Sequence, residues 1–192
     1  MKATTLARTG GLAMALVIAA GCAIQSAHMS AVPTTARVVR PAGGKALVFF
    51  TRPSMFGGAI QATIYDGDTY IGTLSSGTHV AYETTPGTHL FMVIAESADF
   101  MRAELRPDKT YYAGVYARPG VWRARFSFEP FNGAEVADGR RAVEDTREMV
   151  VNDEGRRWAA ENAPSIARKK NKYLPVWQQK PEQQTLDADS GT

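Results

Sequence analysis

The middle of the chain alternates apolar and polar residues at the period of a β-strand. Residues 45–51, KALVFFT, form a continuous apolar run between Gly-Gly and Arg-Pro, which is typical of a buried strand. Residues 59–74 alternate on either side of Asp66-Gly67, a dipeptide that predicts a hairpin turn because glycine accepts a positive φ. In residues 88–96, THLFMVIAE, both alternating faces are apolar, which predicts a central strand covered on both sides.

Turn residues separate these segments from further short strands. Pro86-Gly87 precedes the apolar run, and RPDK at residues 106–109 separates FMRAEL from TYYAGVYAR. The sequence therefore predicts a mainly β fold, an antiparallel β-sandwich of about seven or eight strands. The sandwich domain is expected over residues 45–131.

The period changes to a helical one after residue 131. Within residues 138–151, mainly apolar residues recur at helical spacing, with charged residues between them. The recurring residues are Ala142, Val143, Thr146, Met149 and Val150. Asn152 is expected to cap a further helix, with acidic residues in its first turn, and Pro164 is expected to break or kink it. The sequence thus predicts a C-terminal helical extension, residues 132–178, and a disordered polar tail, residues 179–192.

The first 22 residues have the organisation of an export signal. A positively charged start precedes the apolar residues 12–20, a run shorter than the roughly 20 residues needed to span a bilayer as a helix. This pattern predicts a signal peptide over residues 1–21. The following Cys22 is the single cysteine of the chain, so no internal disulfide can form.

The segment Ala19-Ala20-Gly21-Cys22 resembles the lipobox of bacterial lipoproteins, with Ala19 where leucine is usual. The resemblance implies that Cys22 is acylated and becomes the mature N-terminus, and that Ala23, rather than Asp, directs the protein to the inner leaflet of the outer membrane, facing the periplasm. The alternative is an ordinary cleaved signal peptide with a cysteine nearby by chance. Residues 22–44 are small, polar residues broken by two prolines, and we expect a flexible tether reaching about 25 Å.

The charge of the mature chain does not indicate a nucleic-acid partner. The formal net charge of +3 falls to +1 when residues 1–21, which contain Lys2 and Arg8, are removed. A nearly neutral domain lacks the overall basic surface that binds phosphate backbones. The expected partners are instead the membrane, through covalent lipid, and an envelope protein or peptidoglycan.

A series of short motifs follows a fixed order along residues 45–130. They are Phe49-Phe50 with Arg52-Pro53, Gly67 with Gly72, Pro86-Gly87 with His89, and Leu105 with residues 109–112. In these motifs the segment resembles a family of bacterial lipoproteins with a PEGA-like domain of unknown function. The resemblance implies a small β-sandwich of the cell envelope without a known reaction.

Candidate catalytic and metal sites are few. His28 lies in the expected tether, and His79 and His89 lie in strands without an evident carboxylate partner, so we interpret both strand histidines as structural. Asp66 and Asp68 are interpreted as turn residues. No metal and no cofactor are expected, and no Gly-Xaa-Ser-Xaa-Gly motif is present, so the chain is predicted not to be an enzyme.

A basic and aromatic cluster near the C-terminus is the candidate binding site. Its residues are Arg168, Lys169, Lys170, Lys172, Tyr173 and Trp177. Clustered cations are attracted to anionic lipid headgroups or cell-wall polymer. The alternative is a solvated helix face whose aromatic residues pack on the domain.

Three functions follow from these observations. The first is a non-catalytic, lipid-anchored interaction or structural module of the envelope. The second is a peptidoglycan- or carbohydrate-binding module that uses the basic cluster. The third, with least support from the residues, is a hydrolase.

Overall fold

The computed structural model describes residues 25–54, 56–118 and 125–192. The predicted signal peptide and the lipidation site Cys22 lie outside these residues. Among the described residues, neither helix is both long enough and apolar enough to span a membrane.

The described residues form strands and helices in a mixed order. The strands are β1 (Met29–Ala31), β2 (Ala46–Arg52), β3 (Ala62–Asp66), β4 (Thr69–Leu74), β5 (Thr78–Thr84), β6 (Gly87–Ile94), β7 (Ala98–Leu105), β8 (Lys109–Arg118), β9 (Arg125–Pro130), β10 (Arg147–Val151) and β11 (Thr185–Leu186). The helices are α1 (Val136–Glu144) and α2 (Asp153–Gln178). Single 3-10 turns occur at Thr34–Ala36, Gly133–Glu135 and Ala188–Ser190.

Two sheets form a sandwich-like β structure. Sheet I has the strand order β1-β10-β5-β2-β8-β9, and sheet II has the order β11-β7-β6-β3-β4. The prediction of a mainly β chain is confirmed. The described strands outnumber the seven or eight expected, and the pairing is mixed, because β10 with β5, β2 with β8 and β11 with β7 are parallel. Parallel neighbours require long connections, which local turn residues do not indicate.

The sandwich has an apolar core between the sheets and apolar residues on both outer faces. The rings of Phe50 in sheet I and Phe91 in sheet II meet in the core, with centroids 4.9 Å apart. On the outer face of sheet I, Phe49 and its neighbours pack against α1, and on that of sheet II, Phe100 and its neighbours pack against α2. The result is four layers, which explains why β2 and β6 are apolar on both sides.

Arg52, the last residue of β2, is a buried charge that connects the two sheets. Its guanidinium donates to the carbonyl oxygens of Gly57, at 2.7 Å, and of Leu74 in sheet II, at 3.1 Å. It also lies 4.7 Å from the ring centroid of Phe126. Burial lowers the pKa of Arg52 to about 10. Carbonyl oxygens and an aromatic face therefore stabilise this cation in place of a carboxylate.

The prediction of a helix over residues 138–151 is confirmed only for the first half of this segment. α1 ends at Glu144, and residues 147–151 form β10, which lies between β1 and β5 in sheet I. Met149 enters the core between the sheets, and the segment ends in two β-branched valines. The helical spacing of the apolar residues was misleading, because a five-residue segment fits both periods.

The expected flexible tether is folded in its described part. Residues 29–31 pair with β10, and the amide of Ser26 donates to Ser75 Oγ at 3.0 Å. Met29 is buried against Gly72, where a Cβ would lie 2.9 Å from Met29 Cε. A larger residue at position 72 would displace the end of the Met29 side chain.

The expected disordered tail is also folded. Residues 185–186 pair with β7, Leu186 is buried in the core, and the backbone of Thr192 pairs with that of Thr110. The tail is held by main-chain hydrogen bonds, by the buried Leu186 and by bonds from the side chains of Asn132 and Tyr111 to its backbone. A polar composition therefore did not reveal it.

The second helix begins as predicted and ends at Gln178, where the helical extension was expected to end, but Pro164 does not break it. Asn152 Oδ1 accepts from the amide of Gly155 at 2.9 Å, which confirms the N-cap. The helix passes through Pro164 and Pro175 without ending. A proline inside a helix costs about 3 kcal/mol, and the packing of α2 on sheet II offsets that cost.

We expect Trp177→Ala to lower the free energy of unfolding by about 3–5 kcal/mol, because Trp177 is 2% exposed and packs against Phe100. The neighbouring Val176 is 62% exposed, so Val176→Ala is the matched control, with an expected change within about 0.5 kcal/mol. Urea denaturation followed by circular dichroism measures both. Equal effects of the two substitutions would contradict this packing of α2.

Candidate functional site

The predicted basic cluster is divided between packing and solvent. Lys169 Nζ donates to the carbonyl oxygen of Ala95, and Lys170 Nζ pairs with Asp68 Oδ1 at 2.8 Å. Trp177 is buried on Phe100 and does not line the groove beside α2, which is a correction to its assignment as a binding residue. These three residues hold α2 on sheet II. Arg168 is exposed.

Lys172 and Tyr173 line a groove of about 760 Å³, here called the α2 groove. The groove is also lined by three further cations, a ring and a carboxylate: Arg118, Arg125, Lys180, Phe126 and Asp99. Lys172 Nζ lies 5.4 Å from the ring centroid of Tyr173. Two residues of the predicted cluster thus belong to a concave surface with three further cations.

Asp99 is the buried acidic group of the α2 groove. Its side chain is 10% exposed, and Oδ1 accepts from Lys180 Nζ at 2.7 Å. Its second oxygen, Oδ2, is buried and has no hydrogen-bond partner among the described residues. The groove therefore combines cations, an aromatic ring and a carboxylate acceptor, a combination suited to a charged, hydroxylated ligand.

The structure gives His79 a carboxylate neighbour that sequence reasoning missed. His79 in β5 and Glu148 in β10 are register partners in a parallel pair, with Nε2 and Oε2 3.7 Å apart. His79 Nδ1 lies 2.8 Å from Thr146 Oγ1, whose hydroxyl donates to the carbonyl oxygen of Ala142 at 2.6 Å. Because that hydroxyl proton is already used, Nδ1 carries the proton and Nε2 presents a lone pair.

Burial controls the charge of this pair. The pKa of His79 is lowered from 6.5 to about 4, mainly by burial and also by the positive charge of Arg37, against the opposing effect of the bond to Thr146. Burial raises the pKa of Glu148, against the opposing effects of the Val38 amide and Arg37. At neutral pH His79 is therefore a neutral hydrogen-bond acceptor.

His89 also has a carboxylate neighbour. Its Nδ1 lies 2.7 Å from Asp66 Oδ2, and its Nε2 lies 2.9 Å from the carbonyl oxygen of Thr85. The Tyr82 hydroxyl donates to the same Asp66 oxygen at 3.0 Å. Asp66 therefore joins the β3–β4 hairpin to β5 and β6, a role beyond the predicted turn.

Two observations bear on the chemistry of the chain, namely the grouping of possible metal ligands and the similarity to known proteins. Within residues 25–54, 56–118 and 125–192, no three or more histidine, cysteine, aspartate or glutamate side chains group as a metal site would require. Comparison with protein-family models, curated proteins and solved structures gives no match for this chain. The function of this chain therefore has to be inferred from its own side chains.

We expect His79 to reduce stability as the pH falls from 6.5 to about 4. In this window the unfolded chain binds a proton at His79 and the folded chain does not, so the free energy of unfolding decreases by up to about 3 kcal/mol. Denaturation at a series of pH values should show this slope. His79→Asn, whose amide can still donate to Thr146, should flatten it.

The NMR titration of the His79 ring provides the independent check. Its midpoint should lie at about 4. A midpoint near 6.5, or a slope unchanged in His79→Asn, would contradict the assignment. Glu148 acts with the opposite sign, because its raised pKa favours the folded state at low pH, so the comparison with His79→Asn isolates the histidine.

Proposed function

We propose that this chain is a cell-envelope lipoprotein, a non-catalytic interaction or structural module with a PEGA-like sandwich, anchored by lipidated Cys22 in the inner leaflet of the outer membrane and facing the periplasm. The basic start, the short apolar run and the small residues before Cys22 support the anchor. Several acyl chains on one cysteine would hold the protein stably, whereas a single chain binds only marginally.

The observation that carries the proposal is the place of Ser26 within the folded domain, close to Cys22 along the chain. Ser26, four residues after Cys22, is buried and bonded to Ser75, so at full extension only about 14 Å of chain separates the cysteine from the folded domain. The next residues are bound by the start of α2, where Asn152 Nδ2 donates to the Ala27 carbonyl oxygen at 2.8 Å and Trp158 stacks on His28 at 4.8 Å. A lipid on Cys22 would therefore hold the sandwich at the membrane surface, with the first turn of α2 towards the bilayer.

We expect the protein to fractionate with membranes and Cys22→Ser to move to the soluble fraction, because Cys22 is the only thiol that could carry the lipid. Mass spectrometry of the mature N-terminus should identify an acylated Cys22. An unacylated N-terminus at any other residue would contradict the anchor.

Ala23→Asp serves as the matched control at the neighbouring position. It retains the cysteine, so the variant should stay in membranes, but the lipoprotein resemblance implies that it moves from the outer to the inner membrane. A soluble Ala23→Asp protein would indicate that fractionation follows something other than the acyl chains.

The α2 groove favours a second candidate function, binding of peptidoglycan or another anionic cell-wall carbohydrate. Lys172 and Tyr173 lie there with Arg118, Arg125 and Lys180, above the buried carboxylate of Asp99. Cations can pair with the carboxylates of such a polymer, and the free Asp99 oxygen can accept from a sugar hydroxyl. This function is compatible with the anchor, since the ligand would lie in the same compartment.

We expect the protein to co-sediment with purified peptidoglycan, and the double variant Lys172→Gln, Arg125→Gln to be retained at least about five-fold less, because two charge-assisted contacts are lost. Arg157→Gln is the control, since Arg157 is exposed on α2 outside the groove. Retention that is equal in all three proteins, or absent, would exclude the groove as a cell-wall site.

A further inference from the structure

A second cavity, of about 500 Å³, lies on the outer face of sheet I beside α1. Residues 37–40 pass over it, and we call it the strap cavity. Its floor contains His79 and Glu148, and its walls contain Phe49, Tyr112 and Val143. It is separate from the α2 groove, which lies against sheet II and shares no lining residue with it.

The floor of the strap cavity contains two hydrogen-bond acceptors that no described residue satisfies. His79 Nε2 and Glu148 Oε2 are both buried, and neither has a hydrogen-bond partner among the described residues. His79 is 1% exposed and Glu148 is 4% exposed. A buried acceptor without a partner has lost its hydrogen bond to water, so a molecule that donates a hydrogen bond to one or both of these atoms would be stabilised there.

The floor is rigid because the fold holds it on several sides. Thr146 fixes the tautomer of His79, and Phe49 packs edge-on against the imidazole with ring centroids 5.8 Å apart. Glu148 is held by its strand, with Oε1 accepting from the Val38 amide at 3.5 Å. The acceptors are therefore preorganised, which reduces the entropic cost of binding.

The rim of the strap cavity is cationic. Arg37, Arg40 and Arg140 line it, and all three are exposed. In the part of the chain that the structure describes, none of the three has a carboxylate within ion-pair distance. One lining acid, Glu144, is also at the rim. Arginines without an ion-pair partner favour an anionic group, which they can bind through two parallel hydrogen bonds.

We propose that the strap cavity binds a small organic acid that carries a hydroxyl or amino group and an apolar substituent. The carboxylate pairs with the arginines of the rim. A hydroxyl, which has one proton, donates to His79 Nε2 on the floor, whereas a protonated amino group can donate to both His79 Nε2 and Glu148 Oε2. The apolar substituent packs against Phe49, Tyr112 and Val143. This inference does not depend on the lipid anchor or on the α2 groove.

The test uses 3-phenyllactate as the probe and 3-phenylpropionate, which lacks only the hydroxyl, as its matched control. The purified full-length protein, in an uncharged detergent at pH 7, is titrated with each, and the His79 ring nitrogens are followed by NMR. We expect saturable shifts at His79 Nε2 with 3-phenyllactate. Binding of 3-phenylpropionate should be about five-fold weaker or more, because the floor acceptors remain unsatisfied.

Two neighbouring arginines of α1 provide matched protein variants. Arg140 lines the cavity, whereas Arg141 pairs with Asp138 at 3.2 Å and does not line it. Both are exposed, so neither substitution should disturb folding. Arg140→Gln should weaken binding of 3-phenyllactate several-fold, and Arg141→Gln should leave it unchanged.

Several outcomes would overturn the proposal. The first is the absence of a saturable shift up to about 10 mM probe, which corresponds to a binding free energy weaker than about 3 kcal/mol. The others are equal affinity for the two acids, and equal affinity of the Arg140→Gln and Arg141→Gln proteins for 3-phenyllactate. His79→Asn tests the floor, since it keeps the donor to Thr146 and loses the second ring nitrogen. Because this variant has no His79 ring to follow, its binding is measured by isothermal titration calorimetry, and its affinity for 3-phenyllactate should fall to that of the unsubstituted protein for 3-phenylpropionate. If His79→Asn does not fold, the comparison of Arg140→Gln with Arg141→Gln still tests the proposal.

Discussion

The apolar outer faces of the two sheets need to be covered, and this requirement organises the rest of the chain. Phe49 and Tyr112 point outward from sheet I, and Met92 and Phe100 point outward from sheet II. Exposure of such faces would cost about 25 cal/mol for each Å² of apolar surface. The helices α1 and α2 supply the cover, so the C-terminal third of the chain is part of the sandwich and not an appendage to it.

The covering role of α2 also decides how its charges are used. Lys169 and Lys170 bond to sheet II and its hairpin, while Lys172 faces the groove at the end of the helix. A cluster that is uniform in the sequence is therefore divided in the structure, because Lys169 and Lys170 have bonding partners in sheet II and its hairpin, whereas Lys172 lies where the groove opens beside the helix. The cover of sheet I differs, since α1 is short and leaves the strap cavity beside it.

Local features were predictable from the sequence because they depend on a few consecutive residues. The strands around Phe49 and Phe91, the hairpin at Asp66-Gly67 and the N-cap at Asn152 all occur where the patterns indicated. In each case a side-chain period or a turn residue determines the backbone within one element.

The tertiary structure alone decided the order of the strands and the pairs of side chains. Residues 29–31, 147–151 and 185–186 are strands because sheet edges offer main-chain hydrogen bonds, and segments this short carry no period of their own. His79 and Glu148 meet because β10 pairs with β5 in a parallel register, across 69 positions of the sequence. Register between distant strands is set by how the whole sandwich closes, so no pattern within either segment could place these two side chains together.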